Sequence, residues 1–201
     1  MLKGLLFIIG AYLLGSVPFA ILICKPFGID PRKAGSGNPG ATNVARLLGK
    51  KWGLLTLVGD LGKALGPLVL AMSFLEEAPH YQWWLSAVGF SAFLGHLFPL
   101  YLGFKGGKGV ATATGVLLLL CPLAVVLSLP IFILAVALSG FVSVGSLLAS
   151  ALIPVWIYLF CPHPAYLALS LAMAALIWIK HRDNIRRLLQ GQEKSWRKKK
   201  N

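Results

Sequence analysis

The chain has 201 residues, 57% of them hydrophobic and only 12% charged, with a formal net charge of +13. A soluble domain carries about 25% charged residues, and here the apolar residues gather in runs of the roughly 20 needed to cross a bilayer. Soluble enzyme, secreted disulfide scaffold and disordered tail are excluded. An all-α, polytopic integral membrane protein remains.

In chain order, residues 4–24 form the first uncharged stretch, between Lys3 and Lys25. A single preceding Lys and no small-residue cleavage site mark an uncleaved helix rather than a signal peptide. Residues 52–75 form a second pass, interrupted by Asp60 and Lys63. These two are three apart and read as a self-neutralising ion pair, with a functional role as the alternative. Residues 81–104 form a third pass. Residues 109–179 then contain no Asp, Glu, Lys or Arg at all.

Basic residues set the orientation. Seventeen of the 19 Lys and Arg lie in the first loop, in the third loop and from Lys180 onward. The second loop, around Glu76 and Glu77, has none. Loops one and three and the C-terminus are therefore expected in the cytoplasm, and the N-terminus and second loop outside. The long uncharged run starts and ends inside, so it crosses an even number of times. Breaks at Pro122, Ser139-Gly140 and Pro162-His163-Pro164 divide it into four, with Pro130 and Pro154 as tolerated kinks. The expectation is one domain, 1–201, with about seven helices and cytoplasmic loops near 25–51, 103–112 and 180–201. Cys24, Cys121 and Cys161 show no CxxC spacing and an odd count, and read as small packing residues. His80 and His163 read as incidental.

Polar residues collect on the cytoplasmic side in three clusters. The first is GSGNPGATN at 35–43, followed by Arg46. Gly35, Gly37 and Gly40 can turn backbone N–H groups toward an anion, phosphate above all, and Ser36, Asn38, Thr42 and Asn43 add donors or caps. The second, GFKGGKG at 103–109, offers Lys105 and Lys108 among Gly103, Gly106, Gly107 and Gly109. It is not a P-loop: the spacing is GxxxGK, and Gly109 stands where Ser or Thr would hold magnesium. The third, HRDN at 181–184 with Arg186, Arg187 and Glu193, puts His181 and Asn184 on one face of a continuing helix. Ser139, Ser143 and Ser146 read first as helix caps, with Ser143 as a candidate ligand residue. His96 reads equally as structural or functional. The terminal Arg197–Lys200 run reads as a lipid-headgroup anchor.

Three Asp and three Glu, with no DDxxD, fit poorly with magnesium-dependent prenyl or CDP-alcohol transfer. There is no GxSxG, and no His is followed five residues later by Asp, which removes the HxxxxD acyltransferases. A phosphate transporter or small channel is the rival class, but no convincing internal repeat supports it.

At these motifs the sequence resembles the bacterial acyl-phosphate:glycerol-3-phosphate acyltransferases, the PlsY family. GSGNPGATN with Arg46, GHLFPLYLGFKGGKGVAT and HRDNIRRLLQGQE look like the family's three signatures in order and spacing, over essentially the whole chain. The resemblance implies acyl transfer from acyl phosphate to the 1-hydroxyl of glycerol 3-phosphate, giving lysophosphatidic acid and phosphate, at the cytoplasmic face of the inner membrane. It implies Ser36, Arg46, His181 and Asn184 as catalytic residues. Substrate would be held by Gly37, Asn38, Gly40, Thr42, Asn43, Lys105, Gly106, Gly107, Lys108, Gly109 and Ser143. Glu193 would hold structure. No cofactor, metal or nucleic acid is expected; membrane lipid and the enzyme supplying acyl phosphate are the expected partners.

Overall fold

The computed structural model describes residues 1–196. Among these it contains ten α-helices and no strand. The chain divides into two compact units, Met1–Leu120 and Cys121–Asn201. The Arg197–Lys200 run lies outside the described residues.

The first unit opens with α1 (Leu2–Gly15) and α2 (Phe19–Cys24), continued by a 3₁₀ turn at Lys25–Phe27. Pro18 separates them, because it has no N–H to donate and pushes Val17 out of the helical region. The loop that follows contains its own short helix, α3 (Ala41–Leu48). Its Val44 and Leu48, four apart, pack with Ala20, Cys24 and Trp52. Gly49, at φ +98°, ends α3 and starts α4 (Lys50–Phe74). α3 and α4 touch closely at Gly53, where a Cβ would meet that of Ala45 at 2.4 Å. α5 (Tyr81–Leu97) and the shorter α6 (Val110–Leu120) complete the unit.

Side-chain contacts fix the relative directions of these helices. Ser91 of α5 donates to the Ile8 carbonyl at 2.7 Å, and Tyr12 of α1 donates to the Phe98 carbonyl at 2.7 Å, so α1 and α5 run parallel. α4 runs the other way, with Phe7 against Phe74 at 6.0 Å between ring centroids and Lys63 reaching the Val17 carbonyl at 3.1 Å. The N-terminus therefore shares one end with the turn at 75–80, and the two glycine-rich loops share the other. That is the arrangement the charge distribution requires.

The second unit contains α7 (Pro122–Ser139), α8 (Val142–Phe160), α9 (Pro164–Lys180) and α10 (Arg182–Leu189). The helix breaks fall at Cys121-Pro122, at Gly140, whose φ of +79° closes α7, and at 161–163. Pro130 and Pro154 lie inside helices, as expected of kinks that neighbouring helices can satisfy.

Among the described residues five segments are long and apolar enough to cross a membrane, α1 and α2 counting together as one, Leu2–Phe27, and α9 with α10 forms a sixth candidate bent by 54°. α6, with 11 residues, reaches only ~16 Å at 1.5 Å per residue. The loop ahead of it explains the shortness: Gly109 already lies against Phe93, a turn inside the end of α5. The count of seven crossings therefore turns on α6.

Two expectations need correction here. Cys121 and Cys161 are not simple packing residues but form a disulfide, 40 residues apart in sequence. They cap the start of α7 and the end of α8, which meet because the two helices form an antiparallel hairpin. Only Cys24 is a buried free thiol. His163 is not incidental either: its Nδ1 accepts the Ala165 N–H at 3.2 Å and caps α9.

Candidate active site

In the first cluster the organising residue is Asn43, 1% exposed. Its Oδ1 accepts the Ser36 N–H at 2.8 Å, and its Nδ2 donates to the carbonyls of Pro31 and Ala34 at 2.9 and 3.0 Å. Both amide protons are thus committed to the loop, and Asn43 acts here as a staple. Gly35, at φ +62°, is required twice over, since a Cβ there would fall 2.2 Å from Asn43 Oδ1. The staple holds Ser36 in a partly buried turn ahead of α3. Gly40 begins α3 with no side-chain cap, and a helix start of this kind favours an anion. Thr42 lies in the first turn and Arg46 in the last, so Arg46 is further along α3 than one turn. Asn38 packs its amide near Gly40.

The second cluster folds back onto the end of α5. The N–H groups of Phe104, Gly106 and Gly107 donate to the carbonyls of Pro99, Leu97 and His96 at 2.9, 3.2 and 3.2 Å. The Leu97 and His96 carbonyls are among those a helix end leaves without intrahelical partners. A Cβ on Gly106 would meet the His96 carbonyl at 2.1 Å, and one on Gly107 would meet His96 Nε2 at 2.3 Å. The glycines thus allow close approach to α5, and the Gly106 and Gly107 N–H groups face that helix instead of a ligand. What the segment can offer an anion is exposed Lys105, partly buried Lys108 and the start of α6 behind Gly109. Beneath it lie Asp60 and Lys63, paired at 2.9 Å with side chains 3% and 4% exposed.

In the third cluster the helix does not continue straight. It bends at His181, which closes α9 and opens α10. His181 is 2% exposed, and its Nδ1 lies 2.8 Å from the Ile177 carbonyl. A carbonyl can only accept, so the hydrogen-bond network assigns the proton to Nδ1 and the lone pair of the neutral ring to Nε2. Glu193 gathers the neighbouring groups. Its Oε1 accepts from Ser143 at 3.0 Å and from Asn184 at 2.5 Å, and its Oε2 accepts from Arg187 at 2.7 Å. Burial pushes the Glu193 carboxyl up, but the bonds from Asn184, Arg187 and Ser143 and the Arg187 charge outweigh it and hold the group below its ordinary range. Neither Ser143 nor Ser146 caps α8: Ser146 bonds back to the Val142 carbonyl at 3.0 Å.

The glycerol-3-phosphate acyltransferase family model matches residues 5–191, spanning all three clusters. The chain belongs to this family. A glycerol-3-phosphate acyltransferase of Desulfotalea psychrophila is 53% identical over 189 residues, covering 94% of this chain and 96% of the relative. One from Geobacter sulfurreducens is 44% identical over 193 residues, covering 96% and 97%. The fold is similar to the crystal structure of PlsY (YgiH), an integral membrane glycerol 3-phosphate acyltransferase, in its glycerol 3-phosphate form. The TM-score is 0.90 at 38% identity, over 97% of this chain and 96% of that one. The lysophosphatidic acid form of the same enzyme gives a TM-score of 0.87.

Within this acyltransferase fold, the first unit brings the first two clusters to one end, and the second unit brings His181, Asn184, Ser143 and Glu193 together at one of its own ends. Two pairings escaped the sequence. Nothing local ties Glu193 to Ser143, 50 residues away, and nothing local joins His96 to Asp60. Among the described residues no group of three His, Cys, Asp or Glu could hold a metal ion.

Proposed function

We propose that this acyltransferase takes its acyl group from acyl phosphate and delivers it to the 1-hydroxyl of glycerol 3-phosphate. The product is lysophosphatidic acid, and the reaction takes place at the cytoplasmic face of the bacterial inner membrane. The reading rests chiefly on the first unit, which sets Arg46, Lys105, Lys108 and the uncapped start of α3 among glycine turns at one end. Two phosphate-bearing substrates call for that kind of chemistry.

Acyl phosphate is a mixed anhydride with a good leaving group, so positioning and charge stabilisation carry most of the burden. The glycerol 1-oxygen attacks the acyl carbon, the acyl–phosphate C–O bond breaks, and phosphate leaves with its electron pair. Arg46, a planar fork suited to two parallel bonds, grips the glycerol phosphate with Lys105. Ser36 bonds a substrate oxygen. The hydroxyl proton passes to His181 Nε2, whose lone pair the Ile177 contact leaves in the right tautomer; a donor phosphate oxygen is the competing acceptor. Asn184, whose amide also bonds Glu193, orients substrate oxygens.

Purified protein in lipid mesophase, given acyl phosphate and glycerol 3-phosphate, should release phosphate only when both are present. Activity should survive EDTA and need no ATP, and acyl-CoA should serve poorly. A strict magnesium requirement would overturn the metal-free mechanism, acyl-CoA dependence would overturn the donor assignment, and uptake into liposomes without chemistry would point to a transporter. Cysteines introduced at 36, 106 and 190 should label from the cytoplasm, and one at 78 from outside. External labelling at 36 would refute the cytoplasmic site.

A further inference from the structure

Three ionisable side chains are buried together in the first unit, and the reaction as described uses none of them. Asp60 Oδ1 lies 2.9 Å from Lys63 Nζ and 3.5 Å from His96 Nδ1. Lys63 also donates to the Val17 carbonyl at 3.1 Å, at the break Pro18 makes between α1 and α2. Thr112, in the first turn of α6, donates to the Asp60 carbonyl at 3.1 Å. The group thus touches α2's start, α4, α5 and α6 at once.

Stability alone is a weak reason for such a group. Taking charges out of water costs several kcal/mol per ion, and well-packed apolar replacements are often as stable or more so. Its position suggests another reason. His96 is the last-turn residue of α5 whose carbonyl accepts the Gly107 N–H at 3.2 Å. Its ring lies so close to Gly107 that no Cβ would fit between them. Asp60 faces one edge of that ring, and the glycine segment lies against the other. Lys105 precedes the two glycines and Lys108 follows them, so the tilt of the His96 ring sets where both ammonium groups emerge.

We propose that Asp60 is a positioning residue for the acceptor site: held by Lys63, it orients His96 as the floor under Gly106 and Gly107 and so fixes Lys105 and Lys108 for the glycerol phosphate. The role is indirect: Asp60 acts through the His96 ring, and the ring acts through the glycine segment that it packs against. The inference rests on assigning Lys105 to the glycerol phosphate.

The test compares Asp60→Asn/Lys63→Met with His96→Leu and with wild type. The double variant removes both charges at similar volume, so its thermal midpoint should stay close to wild type. Its KM for glycerol 3-phosphate should rise ~10-fold or more, the scale expected when a binding group is displaced by a fraction of an ångström, while KM for acyl phosphate and kcat change little. His96→Leu should show the same split, and adding it to the double variant should bring no further increase, because both act through one floor. An unchanged glycerol 3-phosphate KM in a well-folded double variant would overturn the proposal, as would equal rises in both KM values. Equilibrium binding of radiolabelled glycerol 3-phosphate, measured without any donor, separates this outcome from the donor question. Binding weakened in the variants while acyl phosphate fails as donor would leave the floor intact and the donor reading refuted; unweakened binding would refute the floor itself.

Discussion

The two units solve the problem of polar groups in a membrane in opposite ways. The first accepts ionisable residues at depth and satisfies them there: Asp60, Lys63 and His96 lie among α4 and α5, and Lys63 uses a carbonyl beside a broken helix. The second carries no Asp, Glu, Lys or Arg before Lys180 and confines its charges to one end. α7 buries only Ala124 and Ser128 along its 18 residues, leaving most of its surface apolar and outward. At its charged end the unit is tied by Glu193 to Ser143, Asn184 and Arg187; at the other it is tied covalently by Cys121–Cys161. Internal charge in the first unit costs desolvation and lies directly against the second glycine-rich loop. The second unit is stiffened at its ends, where a proton acceptor can be held still.

The largest effects should come from one residue in each unit. His181→Ala should lower kcat by about 10²–10⁴-fold if Nε2 takes the hydroxyl proton, and should flatten the acidic limb of the pH–rate profile. A large loss with that limb intact would make a donor phosphate oxygen the base. Arg46→Lys keeps the charge and loses the planar fork, a difference of about 1.5–3 kcal/mol for bonds to charged groups. That corresponds to ~10–100-fold on the glycerol 3-phosphate KM, with kcat falling as well only if Arg46 also meets charge developed in the transition state. Near-wild-type kinetics in both variants would defeat the site assignment.

Next in size is the covalent tie of the second unit. Closing a loop of 40 residues is worth about 2–4 kcal/mol in the chain-entropy account. Cys121→Ser, or reduction of the wild type, should therefore lower the thermal midpoint and leave the glycerol 3-phosphate KM unchanged. Cys24→Ser should leave the response of the midpoint to reductant as it is in wild type, since Cys24 forms no disulfide. A reductant-insensitive wild-type midpoint would remove the contrast between the units.

Glu193→Gln should cost less, about 1 kcal/mol, because its Arg187 partner is 33% exposed and screened by water. The sign follows from the depressed carboxyl. Its contribution is full above the ordinary value near 4.5 and is lost as pH falls through the lower folded value. The midpoint of the Gln variant should therefore lie below wild type at pH 7 and converge with it in acid. Equal midpoints at pH 7 would show that the three bonds do not hold this end.

Much of the fold was legible because hydrophobic runs and helix breaks are local. Pro122, Ser139-Gly140 and the 162–164 segment ended helices where their chemistry demands, and Pro130 and Pro154 stayed inside. The motif residues were legible for the same reason. Pairings across the sequence were not: Cys121 with Cys161, Asp60 with His96 and Ser143 with Glu193 depend on which helices lie side by side. The disulfide still left a trace, since both cysteines adjoin breaks that parity places outside, where disulfides form. The close packing of the 103–109 glycines on α5 was not legible, because flexibility and close packing select the same residue. The stapling bonds of Asn43 were not legible either, because a donor aimed at a ligand and one aimed at its own loop look alike in sequence.

The smallest effect is expected at Asp30, which tests whether charge matters by position or merely by presence. It lies in the first unit's loop, five residues before the glycine motif, and its carboxylate accepts the Arg32 guanidinium at 2.9 and 3.0 Å and the Arg32 N–H at 2.9 Å. Those bonds, led by the guanidinium, lower its carboxyl from 3.8 to about 2. The shift is in the same direction as that of Glu193, so the contribution would be full above pH 4 and lost as pH falls toward 2. The pair stands in water, however, with side chains 28% and 43% exposed, and exposed pairs of this kind contribute little. Asp30→Asn keeps one oxygen for the Arg32 N–H but loses the charge and one of the two oxygens that hold the guanidinium. Its midpoint at pH 7 should match wild type, unlike that of Glu193→Gln. The added net positive charge should lower the glycerol 3-phosphate KM slightly at low ionic strength, and the difference should vanish in salt, which screens charges beyond about 10 Å at 0.1 M. A several-fold KM change that persists in salt would mean that Asp30 shapes the motif loop itself, and that surface charge in the first unit matters as much as buried charge.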